Sequence, residues 1–157
     1  RDKLLMIRNH GMLKGYDTRL LGLNLRLPEI NAAIATVQMK KLPKFLKTRE
    51  KNAKLLSKLL SKSNLDLPVE RKNENVNWYL YTVTTPKRNM LLKKLNAKGI
   101  GAASYYPIPV HKTPFYKSKT KLPITDWAAS SVLSLPIHPK VTTKNIEFIA
   151  KTVSEIL

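Results

Sequence analysis

Apolar residues recur at helical spacing from Pro28 onward, with Ile30, Ala33, Ile34 and Val37 on one face. Pro43 interrupts the run, so residues 28–62 are expected to form one long bent helix or two shorter ones. Along it, Leu42, Phe45, Leu46, Ala53, Leu56 and Leu60 gather on one side. On the other, Lys40, Lys44, Lys47, Lys51, Lys54, Lys58 and Lys62 fall within roughly 40° of a single line, at about 100° per residue. Arg49 sits near the centre of the apolar side, where a guanidinium is costly unless paired. A carboxylate from outside the segment is the expected partner, with a ligand role as the alternative. Residues 63–75 carry turn formers and charge and read as a connection with a short extended piece around Leu65–Val69. The next run, VNWYLYTVT at residues 76–84, is rich in β-branched and aromatic residues and predicts a strand buried on both faces.

Thr85 as N-cap, Pro86 at the first helical position and Gly99 past the end bracket a helix around KRNMLLKKLNAK. A second strand is expected over Ile100–Tyr106, running into the loop YPIPVHKTP, whose prolines prevent regular structure. Residues 125–133 predict a short helix leading into a compact SLPIHP turn. Thr142 or Thr143 then caps a final helix with Ile146, Ile149, Ala150, Val153 and Leu157 on one face. This order of elements predicts an α+β fold, a small antiparallel sheet covered by helices, with a long bent helix in its N-terminal part.

Composition narrows the chemistry. The 157 residues fit one domain of ordinary size, and there is no cysteine. Disulfides, thiol nucleophiles and thiolate metal sites are thereby excluded, and a cytoplasmic setting is the expectation. No apolar run approaches the ~20 residues of a membrane span. The opening RDKLLMIRNHGMLKG has no initiating Met, no apolar signal region and no cleavage site, and reads as the middle of something longer.

The net charge of +19 attracts polyanions. Its densest block is Lys40–Lys62, but no aromatic residues interleave there for base stacking. Lysine, not arginine, supplies 22 of the 29 positive charges, which weakens a base-reading role. A solvated face explains the block better than a nucleic-acid partner, which stays as an alternative.

Recognised catalytic patterns fail one by one. There is no phosphate-binding loop, Gly99 and Gly101 cannot make a dinucleotide turn, and no nucleophile elbow is present. His10, His111 and His138 lack metal-ligand spacing, so no metal site is expected. Two stretches remain too specific to be filler. RNHGMLKGYDTRLLGLNLRLPEINAA places Arg8, His10, Tyr16, Asn24 and Arg26 among Gly11, Gly15 and Gly22 before a helix start. SYYPIPVHKTPFY packs tyrosines, prolines and a histidine into a stiff loop suited to a ligand rim.

At these residues the chain resembles the DegT/DnrJ/StrS family of pyridoxal-phosphate-dependent sugar aminotransferases. The matching signatures are R-x-H-G at Arg8–Gly11, G-x-N-x-R-x-x-E at Gly22–Glu29, Y-Y-P-x-P-x-H at Tyr105–His111 and V-L-S-L-P-x-H-P at Val132–Pro139. The resemblance covers the C-terminal, small-domain portion of such a fold-type I enzyme. Residues 1–157 would be that domain, with 1–27 the segment following the large domain. The family's Schiff-base lysine and most cofactor ligands would precede this chain, so no catalytic residue is expected within it and it should not transaminate alone.

The resemblance further implies that Asn24 reaches the cofactor phosphate in a neighbouring subunit and that Arg26 supports that loop. Tyr105, where many members have His, would rim the pocket for a nucleotide-linked keto-sugar, together with Tyr106 and His111. A second copy or a complete aminotransferase subunit is the implied partner. The competing readings are a basic regulatory or nucleic-acid-binding module and a non-catalytic oligomerisation partner of a full-length enzyme.

Overall fold

The computed structural model describes residues 1–157, which divide into two compact units, Arg1–Leu42 and Pro43–Leu157. In the first, helix α1 (Asp2–Ile7) leads into a looped segment whose backbone pairs with itself. The Leu23 amide donates to the Ile7 carbonyl at 2.7 Å and the Leu25 amide to the Arg8 carbonyl at 2.8 Å. Gly11 makes this possible. Its φ of +74° lies in the left-handed region, and a Cβ there would overlap the Leu20 carbonyl oxygen, while one on Gly22 would overlap the Gly11 backbone.

Helix α2 (Glu29–Leu60) is a single helix, with Pro43 inside it. Ala32 donates to the Pro28 carbonyl at 2.9 Å, so Pro28 opens the first turn. All seven lysines of the predicted stripe are exposed, while Asn52, Ala53, Leu56 and Leu60 are buried.

In the second unit, β1 (Tyr81–Thr84) pairs antiparallel with β2 (Val132–Leu135), Tyr81 opposite Leu135 and Thr84 opposite Val132. Single bridges extend the sheet on both edges, Asp66 to Thr84 and Ala103 to Ser134. Helices α3 (Arg88–Ala97), α4 (Pro123–Ser131) and α5 (Thr143–Ile156) complete the unit. Tyr81, Val83, Leu91, Leu95, Leu133, Ile146 and Val153 are fully buried in its core together with Leu56 and Leu60. Asn52 adds a polar tie, its amide donating to the Val141 carbonyl at 3.0 Å. Thr142 caps α5 through a reciprocal box with Asn145. The fold is α+β with a small antiparallel sheet, as the pattern implied.

Several boundaries differ from the sequence reading. The first strand begins at Tyr81, not residue 76, because Trp78 adopts a φ of +50° and the carbonyls of Trp78 and Tyr79 go to Arg49 instead of a ladder partner. Ile100–Tyr106 is not a strand. The Ala102 amide turns back to the Ile100 carbonyl at 2.7 Å, which leaves only Ala103 in register with Ser134. The second strand is instead Val132–Leu135, taken from the end of the expected helix and the start of the expected turn. Helix α3 starts at Arg88, although the Thr85 hydroxyl does accept from the Lys87 amide at 3.2 Å.

Candidate functional site

The predicted site residues fall in both units. In the first, Asn24 and Arg26 lie two residues apart on the strand-like piece that bridges Asn9 to Asn24. The Arg26 Nε donates to Asn24 Oδ1 at 3.1 Å. That bond fixes the amide so that its NH2 group faces away from the guanidinium, and both side chains are exposed. Two kinds of donor, an amide and a guanidinium, are thus presented side by side, an arrangement suited to an oxyanion.

In the second unit, Tyr105 and Tyr106 stand edge to face with ring centroids 6.4 Å apart, across a cis peptide bond. They wall a cavity of about 280 Å³ whose remaining lining, including Ile108, Val110 and Val132, is apolar apart from Thr125. His111 lies on the short 3-10 turn Val110–Lys112, and its side chain is only 11% exposed. Its Nε2 is 3.5 Å from Asp126 Oδ1, and Lys112 Nζ is 2.7 Å from the same oxygen. The Lys112 ion pair thus ties the 3-10 turn to Asp126 in the first turn of α4, whereas His111 Nε2 and Asp126 Oδ1 are buried side by side without a hydrogen bond. Tyr105 and Tyr106 open to solvent and His111 lies inward of them.

Arg49, expected to meet a carboxylate, meets none. Its Nη1 donates to the carbonyls of Trp78 at 3.1 Å and Tyr79 at 2.9 Å, and its Cζ lies 5.9 Å from the Tyr79 ring centroid. Two neutral acceptors and a π face replace the ion pair, because the left-handed turn at Trp78 brings both carbonyls onto one donor.

Arg88 was missed altogether. It is 5% exposed, with Nη2 donating to the Ala129 carbonyl at 3.0 Å and Nη1 to the Val132 carbonyl and Ser104 Oγ. The cation sits against the last carbonyls of α4, the negative end of that helix, and links it to the residue preceding Tyr105. One signal was available: an arginine opening a helix opposes the dipole there, which asks for a tertiary reason.

No helix of the molecule is long and apolar enough to cross a membrane, and no group of three or more metal-ligating side chains is present.

Against known families, residues 1–154 match the model of the DegT/DnrJ/EryC1/StrS aminotransferase family. The chain belongs to that family. Among relatives of this DegT/DnrJ/EryC1/StrS chain, the dTDP-3-amino-3,4,6-trideoxy-alpha-D-glucose transaminase of Streptomyces venezuelae is 35% identical over 88% of it and 38% of the relative. A protein of Geobacillus stearothermophilus called pleiotropic regulatory protein is 32% identical over 98% of this chain and 43% of its own length. Among solved structures, S. venezuelae DesV in complex with a ketimine intermediate superposes with a TM-score of 0.91 at 32% identity, over 98% of this chain and 43% of that one. The aligned chain thus spans about two fifths of these relatives. Pyridoxal phosphate is the family's cofactor, and sugar aminotransferases recur among its members.

Proposed function

We propose that these 157 residues are the C-terminal, small-domain share of a pyridoxal-phosphate-dependent aminotransferase that acts on a nucleotide-linked keto-sugar in the cytoplasm. Residues 1–27 would follow the large domain, which carries the cofactor-anchoring lysine. The observation that carries this reading is the family match over residues 1–154 combined with coverage of about two fifths of each relative.

The donor set in this chain fits one part of the cofactor. The Asn24 amide and the Arg26 guanidinium offer a phosphate two donor types at an exposed position, while neither is the carboxylate that would pair with a protonated pyridine nitrogen. Asn24 would hold the cofactor phosphate of a neighbouring subunit, with Arg26 orienting it. When bound, pyridoxal phosphate supplies the electron sink for moving an amino group between donor and keto-sugar.

Tyr105, Tyr106 and His111 would rim the sugar pocket, with the Lys112–Asp126 ion pair tying their loop to α4. The chain alone would neither retain the cofactor at one site nor transaminate, and its working partner would be a second copy or a complete subunit. Names of relatives support the substrate class: another, 31% identical over 99% of this chain and 42% of the relative, is the UDP-N-acetyl-3-dehydro-alpha-D-glucosamine 3-aminotransferase of Acidithiobacillus ferrooxidans.

Cofactor absorbance provides the test. The purified chain should show no stoichiometric, single-site uptake of added pyridoxal phosphate, whereas the chain continued upstream to the family's full length should take up one equivalent per subunit. Saturable one-site uptake by the 157 residues alone would overturn the division of labour.

A further inference from the structure

We propose that the cavity beside Arg49 is a binding site for the oxyanion group, phosphoryl or carboxylate, of a small organic ligand. It is a solvent-open pocket of about 240 Å³ within the second unit, and its polar lining comes from Arg49, Tyr79, Tyr105, Ser134 and the exposed His138. No aspartate or glutamate lines it, and no carboxylate lies within ion-pair distance of Arg49. The guanidinium is half-buried, so its charge has lost part of its hydration without gaining a counter-charge.

Its position is fixed. Nη1 is committed to the Trp78 and Tyr79 carbonyls, which anchor the planar group while Nε and Nη2 make no hydrogen bond within the chain. A guanidinium held through one nitrogen and free at two others presents the paired donors that match a carboxylate or phosphate edge, at little further entropic cost. His138 adds a third donor. Its Nδ1 accepts from the Lys140 amide at 3.3 Å, which leaves the proton of the neutral ring on Nε2. The volume is well above the roughly 10–15 Å³ that one water needs on the same measure, and leaves room beside the anion for the organic part of a larger molecule.

This inference does not rest on the aminotransferase reading. Every residue it uses is in the chain, and the probe needs neither cofactor nor sugar, so failure of one leaves the other standing.

The test is an amide chemical-shift titration of the chain with sodium phosphate and, separately, sodium acetate, at ionic strength held constant with chloride. Saturable shifts confined to residues 78–80, 101–105 and 134–138 are expected. Binding should weaken about tenfold in Arg49→Lys, which keeps the charge and loses the fork, and about threefold in His138→Ala. Lys58→Ala, on the lysine stripe, should leave it unchanged. If Arg49→Lys releases the Trp78 turn and fails to fold, the threefold loss expected in His138→Ala still decides. Stronger binding of phosphate assigns a phosphoryl group, and of acetate a carboxylate. Shifts that never saturate, or that follow Lys58→Ala as much as the pocket variants, overturn the site.

Discussion

The two ends of helix α2 carry the same kind of apolar stripe and meet opposite fates. Ala53, Leu56 and Leu60 are buried in the core of the second unit, whereas Ile30, Ile34 and Val37 are 75%, 57% and 50% exposed. The contrast extends to the units themselves. Within Arg1–Leu42 only Gly11 is buried, and every buried apolar side chain of the molecule belongs to Pro43–Leu157. Helical periodicity announces that a face requires cover; it does not say where the cover comes from. In the second unit the strands and α3 and α5 supply it. In the first, order rests on backbone hydrogen bonds and a glycine contact, with Leu21, Leu23, Leu25 and Leu27 left in solvent. Large apolar side chains exposed in this number are what an interface leaves when its partner is absent.

Core truncation should separate the two ends most sharply. Leu91→Ala, in the buried centre of α3, is expected to cost about 2–5 kcal/mol in urea unfolding. Ile34→Ala should stay within about 0.5 kcal/mol, as for other exposed positions. Equal costs would erase the contrast. Next in size is Gly11→Ala, where a left-handed φ strains alanine by about 1–3 kcal/mol and the added Cβ also overlaps the Leu20 carbonyl. The loss should be local: the amides of Arg19, Leu23 and Leu25 should lose hydrogen-exchange protection while those of the second unit keep theirs. Retained protection at Leu23 would mean the loop is held by something other than this contact. Arg88→Met tests whether a buried cation is structural. It strands the Ala129 carbonyl, while the Val132 carbonyl keeps the Ser104 hydroxyl at 3.0 Å, and should cost about 1–3 kcal/mol by thermal unfolding. A neutral outcome would mean that shedding the buried charge offsets the lost bonds.

What was readable in the sequence follows from how local its causes are. The α2 stripe, a threonine cap at Thr142 or Thr143 and Gly99 past the end of α3 are decided by residues within a few positions of one another, and they were legible, although the reciprocal bond from Asn145 was not foreseen. The family signatures were legible too, because backbone constraints such as Gly11 against Gly22 fix residue types at fixed spacing. The strand Val132–Leu135 was not. Four residues covered on both sides leave no alternation, and the prolines after them read as a turn. Nor could Arg49 or Arg88 be assigned partners, since theirs are mostly backbone carbonyls 29 or more residues away, with only the Ser104 hydroxyl nearer to Arg88, and a carbonyl carries no sequence signature. For the site, tyrosine loop and phosphate-type donors were visible as residue types, but the inward position of His111 depends on Asp126 and on a turn that the pattern does not encode.

The smallest expected effect isolates one polar group in the well-covered unit. The Tyr81 hydroxyl is 2.8 Å from Ser57 Oγ, joining β1 to α2, and burial pushes its pKa above the ordinary value of 10.0, with the Ser57 contact opposing that shift in part. The folded state therefore holds the phenolic proton more tightly than the unfolded chain does. The resulting stability is complete below the unfolded pKa near 10.0 and is lost as pH rises through the higher folded value. The informative quantity is the difference between wild type and Tyr81→Phe, which isolates this one group. At neutral pH the variant should be less stable by about 0.5–1.5 kcal/mol, the net worth of one hydrogen bond. Above pH ~10 the gap should close and then reverse, because phenylalanine has no proton to surrender. A gap that stays constant from neutral to alkaline pH would mean that Tyr81 reaches water in the folded state, and that the core around β1 is less sealed than its contrast with Ile30 and Ile34 implies.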